Sequence, residues 1–339
     1  MTTPLGVAII GCGDVALSRH LPALAASDDA RLVACCDREP DRAERASELG
    51  GGYATTDVDT VLGDPGVDAV IVATPPWVTP HMTARALRAG KDVLAEKPLA
   101  LTLEEALSVQ RAERESGQLV QVGFVMRHGP IFGTLRTWIA EGRLGTPLDF
   151  RISVFDETWD PEGNPEHYGR IMATLDHGAP VIHDGAHTMD HLRFLLDGDL
   201  PVRASAWGRK TRPEFPRPNL NGAVIEFSGG HRARVEIGWF LPRFPPSEWT
   251  IIGPDGMAWF DLATQQAHLD CASGIETVLS PGDWFVSCFE HQLAAFVNAV
   301  RTRQSPRPGT ADGIASLALT QLLERGMETP LRSLEIANA

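Results

Sequence analysis

The sequence predicts an α/β fold: an N-terminal Rossmann-type doubly wound parallel sheet, followed by an α+β domain with a large, mostly antiparallel open sheet. Three observations predict it. Continuous apolar runs alternate with helix-period segments through the first part of the chain. The first of these runs opens into the glycine-rich turn Gly11-Cys12-Gly13-Asp14-Val15-Ala16. Later the chain alternates with strand period between tight turns such as Ser228-Gly229-Gly230 and Pro254-Asp255-Gly256. A length of 339 residues suits two domains, a dinucleotide-binding unit over 1–123 and a substrate-binding and oligomerisation unit over 124–339.

Gly6 to Ile10 reads as a strand covered on both faces, and Leu17, Leu21 and Leu24 place a helix after the turn. Gly11 permits the tight turn, Gly13 lets a pyrophosphate approach the backbone, and Ala16 keeps helix and sheet close. Asp14 and Val15 complete this candidate phosphate site. Leu32 to Cys36 is the second strand, ending at Asp37, whose carboxylate suits the two hydroxyls of an adenosine ribose. Arg38 would pair instead with a 2′-phosphate, so the cofactor expected is NAD, with NADP possible. Asp37 also fits a helix cap for Pro40 to Leu49.

Val67 to Ala73 is the next buried strand, running into Thr74-Pro75-Pro76-Trp77, with a helix from Pro80 to Ala89. Asp92-Val93-Leu94-Ala95-Glu96-Lys97-Pro98 is a short apolar strand ending in a charged pair and a proline. Charges at a strand's carboxyl end lie where α/β sheets present ligand sites, and Pro98 has no N–H for a ladder. A lysine there can donate to a hydroxyl or a developing alkoxide; taken alone, the pair also reads as a surface ion pair. Thr102 to Glu105 forms a capping box, opening a helix to about Ser116, and Leu119 to Gly123 is the sixth strand.

With these motifs in view, the chain resembles the Gfo/Idh/MocA oxidoreductases. The resemblance rests on GCGDVA, ATPP, AGKDVLAEKPLA and RHGPIFGTLRTWIAEGRLGTP, and it covers nearly the whole chain. It implies a nicotinamide dinucleotide, a sugar or cyclitol substrate, and hydride transfer between a secondary alcohol and a ketone. It also implies that Lys97 reaches the site, that the bond before Pro98 is of the cis-prone kind, and that Thr74, Pro75 and Glu96 lie near the nicotinamide. Arg127 and His128, inside the last motif, then fall on the substrate side. Where the family often has a histidine after the Thr-Pro dipeptide, this chain has Thr79, with His81 two residues on.

In the second half, Ile131 to Ile139 marks a helix and Leu148 to Phe155 a strand. A long segment up to Pro180 reads as an irregular functional loop carrying Trp159, His167, Tyr168, Arg170, Asp176 and His177. Val181 to Leu196 reads as a helix on which His183, His187, Asp190 and Phe194 share one stripe. Gly185, His187 and Asp190 match the family's pattern; His183 stands where the family has an aspartate, with Asp184 next to it. His187, with an ordinary histidine pKa of about 6.5, is the expected general acid/base. His183 is expected to meet the substrate as a neutral group, and Asp184, about 100° around the helix, to face elsewhere. Strands follow at 203–209, 222–227, 232–240, 249–253 and 257–262, then helices at 284–301 and 311–325. The open face of that sheet is a natural homodimer or homotetramer surface, and the family uses it so.

A net charge of −14 excludes nucleic acid and anionic membrane surfaces as ready partners. The five cysteines form neither a CxxC pair nor a regular framework and read as reduced thiols. Met1 to Pro4 lacks a signal-peptide pattern, so a cytoplasmic chain is expected. Two other classes fit parts of the pattern. One is a non-catalytic NAD-binding regulator of the same fold. The other is a metal enzyme built on the i, i+4 pair His183 and His187, with Asp184 and His191 nearby; no metal is the expectation adopted.

Overall fold

The computed structural model describes residues 3–261, 264–280 and 282–328. The start of the chain at Met1 and Thr2, the last residue of the strand expected at 257–262, and the end of the second unit at 329–339 lie outside the described residues.

The apolar runs of the first half form six parallel strands: β1 (Leu5–Ile10), β2 (Ala30–Cys36), β3 (Tyr53–Thr55), β4 (Ala69–Val72), β5 (Asp92–Ala95) and β6 (Val120–Val122). Their order is β3-β2-β1-β4-β5-β6, so the direction of winding reverses between β1 and β4. That reversal opens a crevice at the carboxyl ends of the strands, where ligands of such sheets bind. The crossovers are α1 (Leu21–Ala25), α2 (Pro40–Gly50), α3 (Val58–Gly63), α4 (Thr79–Arg88) and α5 (Leu103–Ser116). The chain enters α1 through a π-helical turn, Ala16–His20. The capping box at α5 forms as expected: Thr102 Oγ1 accepts from the Glu105 N–H and Glu105 Oε2 accepts from the Thr102 N–H.

The second half begins with a 3₁₀ turn, Val125–His128, and α6 (Pro130–Ala140), then β7 (Asp149–Phe155). The expected irregular loop is largely a helix, α7 (Pro165–His177), which corrects the sequence reading. Asn164 caps it, Pro165 occupies its first turn, and only Ile171 and Leu175 are buried on it. Two apolar residues four apart are too short a stripe to stand out among charged and small neighbours. The helix expected at 181–196 is divided at Asp184 into α8 (Pro180–His183) and α9 (Gly185–Leu195).

The remaining strands are β8 (Pro201–Arg209), β9 (Leu220–Phe227), β10 (Arg232–Gly238), β11 (Glu248–Ile252), β12 (Gly256–Asp261), β13 (Gln266–Cys271) and β14 (Gly274–Leu279). The hairpin of β13 and β14 was not legible in the sequence, because β14 is half polar and largely exposed at the sheet edge. The eight-stranded sheet runs β14-β13-β12-β11-β7-β10-β9-β8, with β7 and β10 its parallel pair and the rest antiparallel. One face buries Ile152, Ile225, Val235, Ile251 and Leu269 against α6 and α8, in one core with Met189 and Leu192 of α9. Helix α10 (Trp284–Thr302) packs along α1 and α6, and α11 (Thr310–Glu328) joins α5 to α9 and β8.

Candidate functional site

The glycine-rich turn shows two different uses of glycine. Gly11 has φ +94°, and a Cβ there would stand 2.6 Å from the Ala73 carbonyl oxygen, so β4 leaves room only for hydrogen. Gly13 is different: a Cβ there would meet nothing within 4 Å, so open space lies against the backbone at the position where a pyrophosphate needs it. Asp37 is tied to this turn. Its Oδ2 accepts the Cys12 N–H at 2.8 Å and its Oδ1 accepts the Glu39 N–H at 3.0 Å. The carboxylate is therefore fixed at the end of β2, with lone pairs left for ribose hydroxyls. Arg38 points into solvent, its side chain 89 % exposed beside Glu39. These residues fit a nicotinamide dinucleotide.

Thr74 and Pro75 form the loop after β4. Buried Thr79 closes it: its hydroxyl lies 2.9 Å from the Thr74 carbonyl oxygen, to which it donates, and 3.0 Å from Thr74 Oγ1. Thr79 therefore shapes the strand-end loop. Val15 packs into the first turn against the core, and Asp14 Oδ2 accepts from Arg170 of α7 at 2.7 Å.

The bond from Lys97 to Pro98 is cis. Lys97 Nζ lies 3.3 Å from Asp184 Oδ1 and 3.4 Å from the His183 carbonyl oxygen. The two charged side chains are about one-fifth exposed, so the pair sits at the cleft wall and is reachable from it. The Trp239 indole N–H donates to the other oxygen of Asp184 at 2.5 Å, holding that carboxylate from behind. This overturns the expectation that Asp184 faces elsewhere: Lys97 approaches the face of the chain that Asp184 occupies. The His183 ring is instead 4 % exposed and stacked on Trp239, with centroids 5.3 Å apart. Burial pushes the His183 pKa down to about 4, so it is neutral as expected, but it backs the site and does not line it.

His187 keeps some exposure, and its Nδ1 is sealed without a partner among the described residues. Its crowded surroundings, then the Lys97 charge and His191, hold its pKa well below the ordinary value. The expectation of an ordinary histidine pKa is corrected accordingly. Glu96 lies under the lysine: Oε2 accepts the Lys97 N–H at 3.1 Å and Oε1 meets His20 Nε2 at 2.8 Å. Nothing in the sequence distinguished His20, which reads as an ordinary helix residue; its buried partner is 76 positions away.

Three expected substrate residues are engaged with other protein groups. Arg127 makes a bidentate pair with fully buried Asp190 at 2.6 Å twice, and adds Asp312 at 3.1 Å. Its donors are committed to holding α9 and α11 together, so it is a structural residue. His128 lies beside His291 of α10, its Nε2 sealed without a partner among the described residues and its pKa pushed down to about 4 by burial. Trp159 packs edge-on against Tyr168 and Phe215, in the aromatic cluster that also contains Trp239. The zinc-like histidine spacing does not gather ligands either. His191 stacks on Phe132 and His183 on Trp239, and among the described residues no three histidine, cysteine or carboxylate side chains are placed to hold a metal ion.

A glycine cradle at a topological switch point, a fixed carboxylate after β2, and a lysine at the carboxyl end of β5 define a nicotinamide dinucleotide-dependent oxidoreductase. Residues 5–124 match the oxidoreductase family with NAD-binding Rossmann fold, and residues 132–259 match the Gfo/Idh/MocA C-terminal domain. The chain belongs to the Gfo/Idh/MocA family. It is 33 % identical over 282 residues to 1,5-anhydro-D-fructose reductase from Ensifer adhaerens, covering 80 % of this chain and 81 % of that one. It is 28 % identical over 336 residues to the NAD+-linked scyllo-inositol 2-dehydrogenase of Bacillus subtilis, covering 96 % and 95 %. A 3-ketoreductase from Actinomadura kijaniata, crystallised with NADP and TDP-benzene, superposes with a TM-score of 0.82 at 27 % identity, covering 96 % of this chain and 98 % of that one. Among the described residues no helix is long and apolar enough to cross a membrane.

Proposed function

We propose that the chain transfers a hydride between nicotinamide and a secondary alcohol or ketone of a sugar, sugar derivative or polyol. The observation that carries this reading is the Lys97–Asp184 pair at the mouth of the dinucleotide sheet, fixed by Trp239. Bound nicotinamide supplies or accepts the hydride. Lys97 orients the reacting oxygen by donating to it and stabilises its negative charge in the reductive direction. Asp184 holds the ammonium in place. His187, neutral at pH 7, accepts the hydroxyl proton in oxidation; in reduction it relays a proton taken from solvent to the alkoxide that Lys97 stabilises. NAD is preferred over NADP, because Asp37 opposes a 2′-phosphate while Arg38 is turned to solvent.

The same reading divides the chain at 123/124 into a dinucleotide unit and a substrate and oligomerisation unit. It places the enzyme in the cytoplasm as a homodimer or homotetramer. Support for self-association is the open face of the eight-stranded sheet, where Val224, Met257, Ile275 and Leu279 are exposed. NADH absorbance should report turnover on a panel of polyols with NAD+ or keto sugars with NADH. Intact NADH binding with no turnover across that panel would favour the regulator instead.

A further inference from the structure

Helix α7, supplied by the second half of the chain, lies against the glycine-rich turn of the first. Arg170 Nη2 is 2.7 Å from Asp14 Oδ2, one residue past the open space at Gly13. Two more contacts bracket it. Glu166 at the start of α7 meets Arg42 of α2 at 3.6 Å, and His177 at its end stacks on Trp77 after β4 at 4.0 Å. The helix thus spans the crevice from the β2 side to the β4 side. Arg170 is also held from its own side. The same Nη2 lies 2.8 Å from His167 Nδ1, and His167 Nε2 meets Glu157, a residue at φ +57° after β7.

The Arg170–Asp14 pair is a poor resting place for a guanidinium so carefully held. The arginine side chain is 46 % exposed and the aspartate 74 %, and exposed pairs of this kind contribute little. A pyrophosphate in the space beside Gly13 offers oxygens that match the guanidinium fork. We propose that Arg170 is a cofactor-binding residue: it exchanges Asp14 for the pyrophosphate of the dinucleotide, so that α7 completes the site from the opposite wall. The His167–Glu157 support keeps the guanidinium at the turn during the exchange, which lowers the entropy lost on binding. This inference rests on the dinucleotide reading of the turn and adds a phosphate ligand from the second half of the chain.

Calorimetry with NADH and ADP-ribose, and competition with adenosine, test it on the full chain. Arg170→Met keeps the apolar stem and removes the charge. It should raise Kd for NADH and for ADP-ribose about tenfold, as for loss of one charge-assisted bond, and leave adenosine unchanged. Arg170→Lys should recover part of the loss. Unchanged NADH affinity in Arg170→Met would overturn the assignment. So would an equal loss for all three ligands, the result expected if Arg170 only latches α7 to the turn. Failure of the unaltered chain to bind NADH would overturn the dinucleotide site itself, and Arg170's part in it.

Discussion

The glycine-rich turn and the helix pair α8–α9 are both central to the site, yet they are built on different principles. At the turn, the geometry follows from backbone conformation. Gly11 needs its positive φ, Gly13 needs empty space, and Asp37 caps a strand end with two backbone N–H bonds. Along α8 and α9, the geometry follows from partners distant in the chain. Asp184 meets Lys97 across 87 positions, and Asp190 meets Arg127 across 63. Three histidines of one short stretch have three different surroundings. The difference teaches that a local motif carries its own geometry, whereas a polar stripe acquires meaning only from what packs on it.

The largest expected effect separates structure from substrate on that stripe. Arg127→Met leaves two carboxylates, one fully buried, without their cation and should lower stability by about 3–5 kcal/mol. Urea denaturation reads this. Unchanged stability with a raised KM would return Arg127 to the substrate side. Next, Lys97→Met should lower kcat by about 10²-fold or more while NADH binding changes little. If the two proteins share one kcat, the lysine is only an ion pair at a strand end.

The two glycines sharpen the other side. Gly13→Ala fills open space, so the fold should keep its melting temperature while NADH affinity falls about tenfold, since the methyl occupies the phosphate position. Gly11→Ala should instead lower the melting temperature, because its methyl collides with the Ala73 carbonyl. Equal behaviour of the two variants would contradict the division of labour within the turn.

A smaller effect tests the buried histidines. Burial pushes the His191 pKa down to about 3, and neither ring nitrogen has a hydrogen-bond partner among the described residues. The unfolded chain takes up that proton near pH 6.5 and the folded chain does not until far lower pH. Stability is therefore lost as pH falls below about 6.5, by up to about 1.4 kcal/mol per pH unit for this group. His191→Leu should flatten the fall between pH 7 and 4; an unchanged slope would mean the ring is charged in the fold. The smallest effect concerns cofactor choice. NADH should bind more tightly than NADPH, and Asp37→Ser should narrow the ratio several-fold, from about tenfold. Tighter binding of NADPH by the unaltered chain would count against Asp37.

The sequence by itself determined the parallel sheet, the dinucleotide turn, Asp37 at a strand end and Lys97 at another. It did so because apolar runs, glycine at positive φ and capping residues act over a few neighbouring positions. It also carried the family, through motifs of the same local kind. Only the tertiary structure decided which carboxylate faces Lys97, that Arg127 is bound by Asp190 and Asp312, and that Glu96 has His20 as its partner. It also decided that the segment after β7 is a helix laid on the cofactor turn. Each of these is a pairing between residues far apart in the chain. Helical periodicity gives relative angles along one element, but the direction from which a neighbour arrives is set by how the two halves of the chain pack.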